Sequence, residues 1–252
     1  MSAINGYDNE YEFVKYLNNR RIGDLNPMFK ELIVNLYDCV DESLVIFAWK
    51  NHLPQKSDVF VKINGIIKGI SIKKGMKNSV HVEGISDFIS FLIINNVPKK
   101  IIIEYLKYHY ADGTTNGSGR KRLSANEYKK DNQKNIDEIN AYFNEPVLLN
   151  NAIERFILTG NNSDYSIDVL ICGEVYDFIW ILKDDIKRLI MQKRDVYSTA
   201  VHFGPITCQP KNRCLNYNPL YEKERFCVQL KWYNLYDEII EVMNSNILGA
   251  GL

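Results

Sequence analysis

No CxxC pair occurs among the five cysteines of this 252-residue chain, so the ligand spacing of a zinc ribbon and the dithiol of a redox site are both missing. Cys208, Cys214 and Cys227 with His202 match no zinc-knuckle spacing either. An odd cysteine count fits a reducing compartment better than a disulfide framework. Net charge is also absent: 31 Lys and Arg stand against 31 Asp and Glu, so no global field draws the chain onto a polyanion, and any such contact must come from basic residues gathered locally. There is no GxxxxGK[ST] loop, hence no expected nucleotide cofactor. The most apolar window, FISFLIINNV at 88–97, is too short to cross a bilayer. The opening MSAINGYDNEYEF lacks the basic-then-apolar order of a signal peptide, so a cytoplasmic protein with no membrane contact is expected. What is there is a folding composition, 46% apolar and 25% charged, enough for a large α/β core with a further lobe.

Periodicity predicts a helix over 8–20, with Phe13, Val14 and Leu17 on one stripe and Glu10 on that same stripe. A second helix is expected over 27–39, opened by Pro27, then a strand or buried segment over 44–50. A hairpin follows at 58–72 about Asn64-Gly65, and a helix over 85–95. The β-branched run IIIEYLKYH at 101–109 reads as a central strand. Residues 109–134 read as a mobile basic loop, with six basic residues against three acidic, and helix resumes over about 131–143. From 164 onward strands alternate with a helix near 183–193. These readings divide the chain into a core over 1–110, a basic loop and helical segment over 111–163, and a strand-rich region over 164–252.

The hairpin carries the chemistry. A two-residue Asn64-Gly65 loop sets Ile63 against Ile66, and counting outward sets Val59 against Ile70 and Asp58 against Ser71. Opposed residues share a face, as do residues two apart along a strand, so Asp58, Ser71 and Lys73 converge. The other face carries Val59, Val61, Ile63, Ile66, Ile70 and Ile72, broken only by Lys68. A carboxylate beside an ammonium at adjacent strand ends suits metal-assisted phosphodiester hydrolysis. Mg2+ takes oxygen ligands, and lysine orients water or neutralises developing charge. The same pair also forms cross-strand salt bridges on solvated faces.

At these residues the sequence resembles the PD-(D/E)xK nuclease superfamily, the fold of restriction endonucleases and junction resolvases. Asp58 matches the motif aspartate and Lys73 the motif lysine, Ser57 stands where proline is usual, and Ser71 replaces the usual acid. Some members with Ser-x-Lys fill the vacancy with a glutamate from the following helix, and Glu83 is placed for that role; Glu10 matches the first-helix glutamate. The resemblance covers residues 8–95. It implies an α/β protein with a restriction-endonuclease-like mixed β-sheet flanked by helices and an α+β C-terminal recognition region. It further implies a type II restriction endonuclease-like deoxyribonuclease that binds Mg2+ through Asp58, Glu83 and the carbonyl of Ile72. Lys73 would serve the nucleophilic water, with Glu10 and Ser71 in support. The implied partners are double-stranded DNA and a second copy of the chain, a homodimer. A junction resolvase, a repair endonuclease and an inactive DNA-binding protein of the same fold are the alternatives.

Two stretches are candidates for holding DNA. One is the basic loop with Arg120, Lys121 and Arg122. The other is 202–234, rich in the side chains that read purine edges in the major groove. Its candidates are Gln209, Arg213, Asn216 and Asn218, followed by Arg225, Gln229 and Lys231.

Overall fold

The computed structural model describes residues 6–38, 41–75, 78–119, 122–161, 165–212 and 218–249. Among them the helices are α1 Gly6–Leu17, α2 Pro27–Tyr37, α3 Ile85–Ile94, α4 Lys99–Tyr110, α5 Ala125–Phe143, α6 Pro146–Ala152, α7 Lys183–Gln192 and α8 Leu235–Gly249. The strands are β1 Phe47–Lys50, β2 Val59–Ile63, β3 Ile66–Lys73, β4 Ser79–Gly84, β5 Val169–Glu174, β6 Asp177–Leu182, β7 His202–Phe203, β8 Ile206–Pro210 and β9 Cys227–Trp232. The chain divides into two compact units, one of Met1–Lys77, Ile157–Lys187 and Asn234–Leu252, the other of Asn78–Phe156 and Arg188–Tyr233.

The first unit holds a mixed sheet in the order β1-β2-β3-β5-β6, antiparallel except for the parallel pair β3–β5. Asn64 and Gly65 both take positive φ, 47° and 84°, the conformation of a type I′ turn, whose twist matches the flanking strands. The pairing is the expected one, Ile63 with Ile66 through Val59 with Ile70. Val59, Val61, Ile63, Ile70 and Ile72 are buried with Val169 and Ile171 against α1 and α2. Ile66 departs from the expected core face: at the hairpin tip it is 54% exposed. Lys68, the interruption in that face, is neutralised by Asp168 at 3.2 Å.

Helix α2 starts where its sequence dictates. The Asn26 side chain accepts from the Phe29 amide at 2.9 Å, Pro27 needs no partner at the first turn, and Asp38 ends the helix in the left-handed region. Phe29, Leu32, Ile33 and Leu36 then fall on one buried stripe. From α1, Phe13 sets its ring edge-on against Phe29 and Phe178, at 5.7 and 5.5 Å. Each buried ring of this kind contributes about 1.5–3 kcal/mol relative to exposure.

The second unit has an antiparallel sheet in the order β4-β9-β8-β7. Its core is aromatic: Phe88, Tyr105, Phe143, Phe156 and Phe203 interlock, with Phe143 stacked on Phe203 at 4.5 Å. Residues 101–109, expected as a central strand, are the middle of helix α4. Ile101, Ile102, Tyr105, Tyr108 and His109 recur at helical spacing and are buried, so packing of that stripe against α5 and β8 overrides β-propensity. Helix α5 begins at Ala125, not near 131, because Ser124 and Glu127 form a reciprocal capping box. Asn132, with φ −128°, kinks it and bonds back to the Tyr128 carbonyl at 2.9 Å. Residues 112–119, expected to be mobile, are gathered by Asp112, which accepts from Thr114 N and Oγ1, Gly119 N and Arg225.

Candidate active site

In the first unit the regular β2–β3 pairing ends at Val59, and the chain turns its next residue into the sheet edge. The Asp58 amide donates to the Ile70 carbonyl at 2.8 Å. Asp58 Oδ2 accepts from the Ile72 amide at 2.6 Å and from the Ser71 hydroxyl at 3.2 Å. Asp58 and Ser71 thus meet on one face. The carboxylate is clamped through one oxygen only, and Oδ1 has no hydrogen-bond partner among the described residues. Ser71 is buried, so its hydroxyl acts as a fixed strut. In a strand the N–H and C=O of one residue point to the same edge, so the Ile72 carbonyl is turned toward Asp58 as its amide is.

Lys73, two residues beyond Ser71, projects from the same face opposite Cys172 of β5. It is half-buried and forms no ion pair among the described residues. Burial pushes the Cys172 thiol up to about 12, while the Lys73 charge pulls the other way, so Cys172 is an uncharged wall beside the ammonium. One tethered carboxylate with a spare oxygen, a backbone carbonyl and an uncommitted ammonium are hard oxygen donors plus a cation. That set suits a divalent ion and a phosphate.

The two expected glutamates are placed differently. Glu10 pairs with Lys50 at 2.8 Å, and the Lys50 side chain is only 8% exposed. Lys50 lies opposite Val59 in the ladder, so the Glu10–Lys50 pair is on the helix-covered face of the sheet. In the second unit Glu83 sits with its side chain 1% exposed, ion-paired to Arg155 at 2.9 Å and 3.4 Å from His81. A buried carboxylate needs a compensating charge, and Arg155 provides it for Glu83. Among the described residues no three His, Cys, Asp or Glu side chains group to hold a metal ion.

Of the DNA candidates, Arg120, Lys121, Arg213 and Asn216 lie outside the described residues. Arg122 is buried and donates to the carbonyls of Tyr110, at 2.7 Å, and His109. Arg225 is likewise engaged, with Asp112 and with the Gly119 carbonyl at 2.7 Å. The Asn218 side chain caps a turn at the Leu220 amide, 3.0 Å away. Three remain grouped. Gln209 of β8 pairs with Gln229 of β9, Thr207 pairs with Lys231, and all four alternate with buried neighbours. Gln209, Gln229 and Lys231 line a groove of about 570 Å3 in the second unit, with Tyr108, Leu123 and Pro210 as apolar wall.

Sequence reasoning missed Lys50, Arg155 and Asp112. Asp112-Gly-Thr114 carried a local signal, an aspartate two residues before a threonine, the pattern of a side-chain-closed turn. Lys50 and Arg155 carried none, since their partners are distant in sequence.

No protein-family model matches the sequence, and no curated protein matches it either. A solved structure does: the restriction endonuclease MspI in complex with its cognate DNA, at a TM-score of 0.58 over 90% of this chain and 91% of that one, with 12% identity. The fold is that of a restriction endonuclease, mixed α/β with a mixed sheet flanked by helices. Among the described residues no helix is long and apolar enough to cross a membrane.

Proposed function

We propose that this protein is a Mg2+-dependent endonuclease that hydrolyses phosphodiester bonds of double-stranded DNA at specific sites, as a type II restriction endonuclease does. The observation that carries the reading is the Asp58–Ser71–Lys73 group: a carboxylate half-satisfied by the Ile72 amide and Ser71, and, two residues on from Ser71, a lysine with no ion pair among the described residues. The fold is shared with a restriction endonuclease seen with its cognate DNA, which supports the same substrate class. Asp58 Oδ1 and the Ile72 carbonyl would hold the ion, leaving its other positions to water and phosphate oxygens. Bound there, Mg2+ would polarise the phosphoryl oxygen and lower the pKa of a water. Ser71 and the Ile72 amide keep Asp58 in one rotamer. Lys73 positions the attacking water and offsets negative charge as the phosphorus–oxygen bond breaks. Glu10 and Glu83 have no step in this scheme. Two copies acting on a symmetric site complete the proposal.

One observation favours a second reading, DNA binding without cleavage: among the described residues no three His, Cys, Asp or Glu side chains group to hold a metal ion. Plasmid DNA incubated with wild type, Asp58→Ala and Lys73→Ala, with and without Mg2+, separates them. Discrete fragments from wild type alone, and only with metal, are expected. Binding with no metal-dependent cutting would favour the second reading, and cutting confined to four-way junctions would replace restriction with resolution. A single copy per duplex by light scattering would remove the homodimer.

A further inference from the structure

The solvent face of the second unit's sheet carries two glutamines, each with one end of its amide already used. Gln209 and Gln229 are directly opposed in the β8–β9 register, so their Cβ atoms lie about 5 Å apart. The Gln209 carbonyl accepts from the Tyr233 hydroxyl at 3.3 Å, which turns its NH2 outward. The Gln229 NH2 donates to the Ser79 hydroxyl at 3.0 Å, which turns its carbonyl outward. The pair therefore presents one unspent donor beside one unspent acceptor. Next along the same face, Lys231 makes no ion pair among the described residues and lies 5.9 Å from the Tyr233 ring. Lys129 borders the same groove. A polar, hydrogen-bonding centre with ammonium groups beside it complements base edges flanked by phosphates.

We infer that Gln209 and Gln229 together read one adenine in the major groove, so that the recognition sequence contains an A·T pair. This deepens the DNA-directed reading above and rests on it. Adenine exposes an N6 amino donor beside the N7 acceptor, which meets the Gln229 carbonyl and the Gln209 NH2 respectively. Guanine exposes two acceptors, O6 and N7, and sets one of them against the Gln229 carbonyl. Cytosine and thymine each satisfy only one of the two groups. Lys231 and Lys129 serve the phosphates and carry no sequence information.

The test is selection from a pool of randomised duplexes with metal withheld, using wild type, Gln209→Ala, Gln229→Ala and Lys231→Ala. Wild type is expected to enrich an A·T pair at one position. Each glutamine variant should lose that preference and bind the selected duplex roughly 5- to 150-fold more weakly. Lys231→Ala should weaken all duplexes alike and flatten the salt dependence. Replacing the adenine by 7-deazaadenine removes N7: wild type and Gln229→Ala should lose affinity and Gln209→Ala should lose no more. Replacing it by purine removes the N6 amino group, and the two variants should exchange behaviour. Both variants lie on the solvent face, so melting should match wild type and exclude misfolding. Glutamine variants that keep the A·T preference, or a wild-type selection without A·T, overturn the pair and leave the nuclease reading standing. A pool with no enriched sequence overturns sequence recognition itself, together with this inference.

Discussion

The two sheets of this protein each hold a carboxylate near a cation, with opposite outcomes. On the first sheet Asp58 is tethered by the Ile72 amide and Ser71, while Lys73 has no counter-charge among the described residues. On the second, Glu83 is enclosed and ion-paired with Arg155. A charge closed off by a partner stabilises one packing; a charge left open on a half-buried face is available to a ligand. The first arrangement is suited to reaction and the second to architecture, although the resemblance implied a metal-ligand role for both acids.

The largest expected effect would break this comparison from the structural side. Arg155→Ala strands the Glu83 carboxylate in the interior and is expected to cost about 3 kcal/mol, a fall of roughly 6–12 °C in melting temperature for a chain of this size. Scanning calorimetry that finds no destabilisation would make Glu83 an available acid after all. Next, Lys73→Ala should lower cleavage by about 100- to 1000-fold while moving the melting temperature by no more than about 2 °C. A large thermal effect would instead make Lys73 a structural charge like Arg155. Ser71→Ala removes one of two bonds to Asp58 and should slow cleavage about tenfold, the equivalent of one hydrogen bond to a charged group; an unchanged rate in single-turnover kinetics would leave the Ile72 amide as the sole positioning contact.

The smallest effect is a pH dependence in the second unit. Burial pushes the Asp112 carboxyl up, but the hydrogen bonds from Thr114 and the Arg225 charge outweigh it and hold the group below its usual range. A carboxyl lowered in the folded state contributes stability that is complete above its unfolded pKa and is lost as pH falls through the lowered folded value. Amide exchange at Thr114 and Gly119, corrected for intrinsic rates, should therefore accelerate only on the acid side of the ordinary carboxylate range. Acceleration near neutral pH would mean that another group closes the loop.

Much of this was readable from residues close together in the chain. Asn64-Gly65 determined its turn, the turn determined the pairing of Val59 with Ile70, and the pairing brought Asp58 beside Ser71. Pro27 and Asn26 determined where α2 begins, and Ser124 with Glu127 held the signal for α5, which the basic composition around it obscured. The turn and the caps are backbone preferences or bonds between residues three apart, and the Asp58–Ser71 contact, 13 residues apart, follows from the turn, so the information sits in one window.

What only the tertiary structure decided involves partners far apart. Residues 101–109 became a helix because their apolar side chains pack at helical spacing against α5 and β8. Glu10 was taken by Lys50, Glu83 by Arg155, and Arg225 by Asp112, 40, 72 and 113 residues away along the chain. Burial makes a charge costly unless a counter-charge lies within a few ångströms, and which counter-charge that is depends on the folded chain, not on spacing along it. Composition and periodicity were therefore enough to find the acids, and only the packed structure could tell a spare one from a spent one.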